Sequence, residues 1–137
     1  MLDDLPAAAD SGVRDASILV VEDDPGAVEA FECMLKAEGY RVRVALDAPS
    51  GLAELEHAAP AAVLLDLHLP ITDGLEFLRR LRATVPHAHV PVAVVTGDYF
   101  VEESVARELE MLGARIHFKP LWEEDVMRIV HDLLTGA

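Results

Sequence analysis

A chain of 137 residues is long enough to bury one core without disulfides or structural metal, and it fits a single domain. Its 25 acidic residues against 11 basic ones leave a net charge of −14, which repels phosphate backbones and argues against unaided binding of DNA or RNA. The lone Cys33 excludes an internal disulfide, no apolar run approaches a membrane span, and the start of the chain does not resemble a signal peptide, so the expected location is the cytoplasm.

Residues 1–16 are small and acidic with no sustained periodicity and read as a flexible leader. Order is expected from Ser17. Ile18-Leu19-Val20-Val21 is a β-branched run that stops at Glu22-Asp23-Asp24, and Pro25 suits the first turn of a following helix. Ala27, Ala30, Phe31, Met34 and Leu35 recur at spacings of three and four, Cys33 is expected among them as a buried thiol, and Gly39 ends the helix. Tyr40 to Leu46 alternates around Val42 and Val44 as a more exposed strand. Asp47 to Ser50 offers caps for a helix through about Ala58.

Ala61-Ala62-Val63-Leu64-Leu65-Asp66 is the apolar centre of the chain. Five apolar residues in a row describe a strand buried on both faces, and the carboxylate at its end is expected at the rim of a sheet. After Asp73-Gly74, Leu75, Leu78 and Leu81 mark a helix whose Arg79, Arg80 and Arg82 are read as solvating its other faces. Val90 to Val95 is the next buried strand and stops at Thr96-Gly97-Asp98. Val101, Val105, Leu109 and Leu112 form a helical stripe closed by Gly113; Ile116-His117-Phe118 is a short strand ending at Lys119-Pro120; and a last helix runs from about Glu123 to Leu134. Trp122, ahead of that helix, is open to two readings: packing at the helix start, or an exposed anchor for a partner. His87-x-His89 offers only two ligands, too few for a tetrahedral zinc site.

Five strands and five helices in strict alternation imply right-handed crossovers and a doubly wound α/β fold with a parallel sheet covered on both faces. Ligands of such sheets bind outside the carboxyl ends of the strands. Asp23, Asp24, Asp66, Thr96 and Lys119 all fall at such ends, so residues far apart in the chain are predicted to meet in one pocket.

With Asp23-Asp24, the stretch Asp66-Leu67-His68-Leu69-Pro70-Ile71-Thr72-Asp73-Gly74, Thr96 and Lys119-Pro120 in that order, the chain resembles a receiver domain of bacterial two-component response regulators over about residues 17–135. The resemblance implies a flavodoxin-like sheet in the order 2-1-3-4-5. It further implies that Asp66 accepts a phosphoryl group from a histidine kinase or phosphotransfer protein, and that Thr96 and Lys119 contact phosphoryl oxygens. Mg²⁺ or Mn²⁺ would be held by Asp23, Asp24, Asp66 and the backbone carbonyl of His68. Such a chain is a phosphoacceptor that catalyses its own phosphorylation and dephosphorylation rather than a turnover enzyme. The resemblance also implies that His68 and Asp98 occupy the positions that tune hydrolysis, that the Lys119-Pro120 bond is cis, and that output passes by contact with a downstream protein or a second copy through the helix 4–strand 5–helix 5 face.

One position departs from the family. Receivers usually carry Tyr or Phe three residues before the lysine, and here that residue is Ile116, so the switch would rest on Thr96 with backbone motion or on the neighbouring His117. This keeps a phosphorylation-independent interaction module as an alternative. A second alternative, an aspartate-nucleophile phosphatase, needs another acid two residues after the nucleophile, where this chain has His68.

Overall fold

The computed structural model describes residues 16–97 and 100–136; the expected leader, apart from Ala16, and Asp98 lie outside them. Five strands, β1 (Ser17–Val21), β2 (Arg41–Ala45), β3 (Ala62–Asp66), β4 (Val92–Thr96) and β5 (Arg115–Phe118), form one sheet in the order β2-β1-β3-β4-β5. Every neighbouring pair is parallel. The helices are α1 (Pro25–Ala37), α2 (Ala48–His57), α3 (Gly74–Ala83), α4 (Glu103–Met111) and α5 (Glu123–Thr135), with a 3-10 turn at Val85–His87 that the sequence pattern did not predict. Among the described residues no helix is long and apolar enough to cross a membrane.

Burial along the strands follows their place in the sheet. The inner strands β3 and β4 are buried at every residue, whereas the edge strands β2 and β5 carry Arg41, Arg43, Arg115 and His117. Charged edges discourage pairing with another chain. Helices α1 and α5 cover one face around Phe31, Leu35, Val126, Ile129 and Val130; α2, α3 and α4 cover the other around Leu55, Phe77, Leu78, Leu81 and Leu109. Each such buried side chain contributes about 1.5 to 3 kcal/mol of transfer free energy. Asp24, Asp47 and Asp73 each cap a helix, accepting from the main-chain N–H of Ala27, Ser50 and Glu76.

Two sequence expectations are corrected by the packing. Cys33 is exposed. Phe31 and Leu35 define the inner stripe of α1, and a residue midway between them is turned about 200° away from it. Arg82 does not solvate its helix either: its Nε donates to the carbonyl of Leu112 at 2.7 Å and its Nη1 to those of Val90 at 2.6 Å and Ala88 at 3.3 Å. Arg79 bridges helices instead of facing water alone, donating from Nε and Nη2 to both carboxylate oxygens of Glu108 on α4. Of the three arginines, Arg80 is used as expected, on the surface beside Glu76.

Candidate functional site

The carboxyl ends of β1, β3, β4 and β5 meet in one acidic pocket. Glu22 follows β1 with its N–H bonded to the carbonyl of Ala45 at 3.0 Å, which extends the β1–β2 pairing by one residue and sets the Glu22 side chain inward, 1% exposed. Asp66 ends β3 at 6% exposure. Oxygens of Glu22, Asp23 and Asp66 lie within 4.8 Å of one another. Lys119 reaches into this group from the end of β5, its Nζ 2.6 Å from Glu22 Oε1 and 3.9 Å from Asp66 Oδ2. The Lys119-Pro120 bond is cis, and the Lys119 N–H donates to the carbonyl of Thr96 at 2.8 Å, tying the ends of β4 and β5 together. Thr96 itself is fully buried.

The loop after β3 holds the nucleophile candidate in place. The main-chain N–H of His68 donates to Asp66 Oδ1 at 3.2 Å, and that of Gly74 donates to the carbonyl of Leu67 at 2.9 Å. A Cβ on Gly74 would collide with the carbonyl oxygen of Asp66 and lie 2.9 Å from Leu67 Cα, so glycine is required by close backbone approach. Ile71, 81% exposed, adopts φ 73°, a conformation that costs a β-branched residue about 1 to 2 kcal/mol.

The structure gathers Glu22 and Asp23, rather than Asp23 and Asp24, around Asp66. Three successive carboxylates look alike in sequence, but Pro25 opens α1 and thereby makes Asp24 its N-cap: Asp24 Oδ2 accepts from Ala27 N at 3.0 Å and stands outside the cluster. The proline was therefore the signal in the sequence that separates the capping carboxylate from the buried one. Asp66 also differs from expectation in being buried rather than raised to the rim. Ile116 is half-buried against the core that α4 covers, while Phe118 and Trp122 are exposed, Trp122 at 67%; of its two sequence readings, packing at the helix start does not hold.

Burial pushes the Asp66 carboxyl up to about 6; the adjacent Glu22, through a hydrogen bond and its charge, pushes the same way, and the Lys119 ammonium and His68 N–H oppose them. The ordinary value is 3.8, so the folded state holds this proton more tightly than the unfolded chain between about pH 4 and 6. The contribution of Asp66 to stability is thus fully present below about pH 4 and is lost as the pH rises through about 6, by about 2 to 3 kcal/mol in metal-free solution. Asp66→Asn removes the loss. Urea midpoints of the wild type and the variant in EDTA should diverge between pH 4.5 and pH 7.5, with the variant the more stable; parallel midpoints would contradict the assignment of the shift to Asp66.

Three carboxylates against one ammonium leave a negative pocket of hard oxygen donors, and two like charges about 4 Å apart repel by about 4 kcal/mol at an effective dielectric near 20. Such a donor set fits Mg²⁺ or Mn²⁺ and not a thiolate- or imidazole-seeking metal.

Known proteins share both the sequence pattern and the fold. The family model for the response regulator receiver domain matches residues 18–131. The sensory transduction protein RegX3 of Mycolicibacterium smegmatis is 38% identical over 94 residues, which cover 68% of this chain and 40% of that protein. The transcriptional regulatory protein PrrA of Mycobacterium leprae is 33% identical over 97 residues, 71% of this chain and 41% of that protein. The chain therefore spans about two fifths of the length of these relatives. Among solved structures, a CheY-like response regulator receiver domain protein of Methanospirillum hungatei superposes with a TM-score of 0.81 at 27% identity, covering 88% of this chain and 94% of that one.

Proposed function

The chain belongs to the response regulator receiver domain family, and from that premise we propose that Asp66 is the phosphoacceptor of a two-component relay. The observation that carries this reading is the placement of a buried carboxylate beside one lysine and two further carboxylates at the carboxyl ends of a parallel sheet. An Asp66 oxygen attacks the phosphorus of a phosphohistidine on a histidine kinase or phosphotransfer protein. A P–O bond forms, the P–N bond to the donor imidazole breaks, and that nitrogen leaves with the bond's electron pair. In the return step water attacks phosphorus, the P–O bond to Asp66 breaks, and inorganic phosphate and the free carboxylate are released.

The chain's own groups supply positioning and charge. Lys119 Nζ stands within 3.9 Å of Asp66 and is a point charge for one phosphoryl oxygen; the Thr96 hydroxyl, on the neighbouring strand one residue past Val95, the register partner of Asp66, donates to another. Glu22, Asp23 and Asp66, with the carbonyl of His68, would hold Mg²⁺ or Mn²⁺. When bound, that ion supplies the neutralisation that lets a crowded carboxylate approach a phosphoryl anion. His68 is exposed at the mouth of the pocket, where its side chain flanks the path of the hydrolytic water.

The phosphorylated state is read out by contact. Thr96 and Lys119, joined through their main chains, transmit the phosphoryl group's presence to β5 and α5, and the exposed Phe118 and Trp122 lie beside that path. Ile116 leaves no aromatic ring to rotate at the usual position, so the signal runs through the β4–β5 main-chain link. A phosphatase reading finds no second acid two residues after Asp66, only the imidazole of His68.

Incubation of the protein with acetyl phosphate and Mg²⁺ should add one phosphoryl mass that is lost again on standing, and Asp66→Asn should take up none. Labelling of Asp66→Asn at the wild-type level would overturn the assignment. Full partner binding by unphosphorylated protein, unchanged on labelling, would favour the phosphorylation-independent module instead.

A further inference from the structure

A second site lies at the opposite end of the sheet. A cavity of about 640 Å³ opens at the amino-terminal ends of β4 and β5, between the end of α3, the α4–β5 turn and the end of α5. That volume lies within the range of small-molecule pockets. Its charge opposes that of the rest of the chain: Arg82, Arg115, His89 and His117 line it with a single carboxylate, Asp132, in a protein of net charge −14.

Among the described residues neither guanidinium has a counter-ion. Arg82 is half-buried and held by three main-chain carbonyls, through Nε and Nη1 only, and no carboxylate of the described residues pairs with it. Its Nη2 makes no hydrogen bond to a described residue and lies 3.7 Å from the position of a Cβ on Gly113, itself in the cavity wall. Burial pushes the Arg82 guanidinium down from its ordinary value. Arg115, at the start of the edge strand β5, is exposed and makes no ion pair with a described residue. A partly desolvated guanidinium with a spare N–H edge is matched best by a carboxylate or phosphate, which accepts from it in a planar fork. The remaining wall is apolar, formed by Met111, Leu112, Ile129 and Leu133.

We propose that this cavity is a binding site for a small organic oxyanion with an apolar body, held by Arg82 and Arg115 at its charged end and by the Met111, Ile129 and Leu133 side chains at the other. The site is independent of the Asp66 chemistry, because none of its lining residues belongs to the acidic pocket.

Phenylphosphonate tests it, since its carbon–phosphorus bond cannot transfer a phosphoryl group to Asp66. Titrated into ¹⁵N-labelled protein in EDTA, it should give saturable shifts at the amides of Gly113, Arg115, His117 and Ile129 with a Kd of about 1 mM or tighter. Benzyl alcohol lacks the charge and methylphosphonate the apolar body, and each should bind at least about tenfold more weakly, a change of about 1.4 kcal/mol. Arg115→Glu should weaken phenylphosphonate by about tenfold or more while leaving the spectrum otherwise folded, and Asp132→Asn should tighten it. Arg115 decides the test because Arg82 also braces three carbonyls and its removal would disturb the fold. The proposal is overturned by the absence of saturable shifts at these amides, by equal binding of benzyl alcohol, or by an unchanged Kd in Arg115→Glu.

Discussion

Gly74→Ala is expected to lower stability by about 3 kcal/mol and to slow phosphorylation of Asp66 by about a hundredfold. The added methyl would meet main chain on every close side: the carbonyl oxygen of Asp66, Leu67 Cα at 2.9 Å and the carbonyl oxygen of Leu67 at 3.1 Å. None of these atoms is the end of a flexible side chain, so relief requires moving either the end of β3 or the start of α3. Overpacking of this kind costs about 1 to 3 kcal/mol where side chains can adjust, and the rigid neighbours here place the cost at the upper end. The displaced atom belongs to the proposed phosphoacceptor, and an error of about 1 Å in the position of a reacting group costs about a hundredfold in rate. Gly97→Ala is the internal control. It stands after β4 near the same pocket, a Cβ there meets nothing within 4 Å, and its stability should remain within about 0.5 kcal/mol of wild type. Urea denaturation of the two variants, with acetyl phosphate labelling of Gly74→Ala, checks both parts; a Gly74→Ala protein as stable as Gly97→Ala would refute the steric argument.

Lys119→Met should have the other large effect, on stability and on phosphoryl transfer at once. Its Nζ is 2.6 Å from a carboxylate that is 1% exposed, and no other cation of the described residues pairs with Glu22 or Asp66. Removing one partner of a buried pair leaves an uncompensated charge and costs about 3 to 5 kcal/mol; the partial exposure of Lys119 places the loss near about 3 kcal/mol. Labelling by acetyl phosphate should fall by about a hundredfold or more, as when a preorganised charge is lost from a transfer site. The two roles are separable. If the same carboxylates hold a divalent ion, Mg²⁺ should raise the urea midpoint of Lys119→Met more than that of wild type, because in the variant the ion supplies the only positive charge in the cluster, yet the labelling defect should persist. An equal Mg²⁺ response in the two proteins would show that the ion does not bind where Lys119 acts.

How much of this was legible beforehand depends on the range over which each feature is decided. The helix at Pro25 could be read from Asp24-Pro25 and the apolar spacing that follows, because capping and periodicity are contained within a few residues. Asp24, read from the sequence as a metal ligand, caps α1 and stands outside the cluster of Glu22, Asp23 and Asp66: a carboxylate faces the cap or the cluster by its direction, and that direction depends on where β1 stops pairing with β2. Cys33 was assigned to the core by its neighbours' hydrophobicity, although its spacing from Phe31 and Leu35 already turned it outward. Arg82 could not have been read in this way at all. Its partners are the carbonyls of Leu112, Ala88 and Val90, supplied by the α3–β4 and α4–β5 connections, and nothing in the local pattern distinguishes it from the exposed Arg80.

The alternation of apolar runs with helical stripes by itself determined a parallel sheet covered on both faces, and with it the meeting of Asp66, Thr96 and Lys119 at one end, because strand ends in such a sheet must share an edge. Only the tertiary structure decided that Glu22 and Asp23 gather around Asp66, how deeply that group is buried, and that Arg82 and Arg115 line one cavity at the far end of β4 and β5. Local periodicity sets which face a residue occupies; desolvation and charge pairing depend on what other segments bring to that face, and that is fixed only when the layers pack.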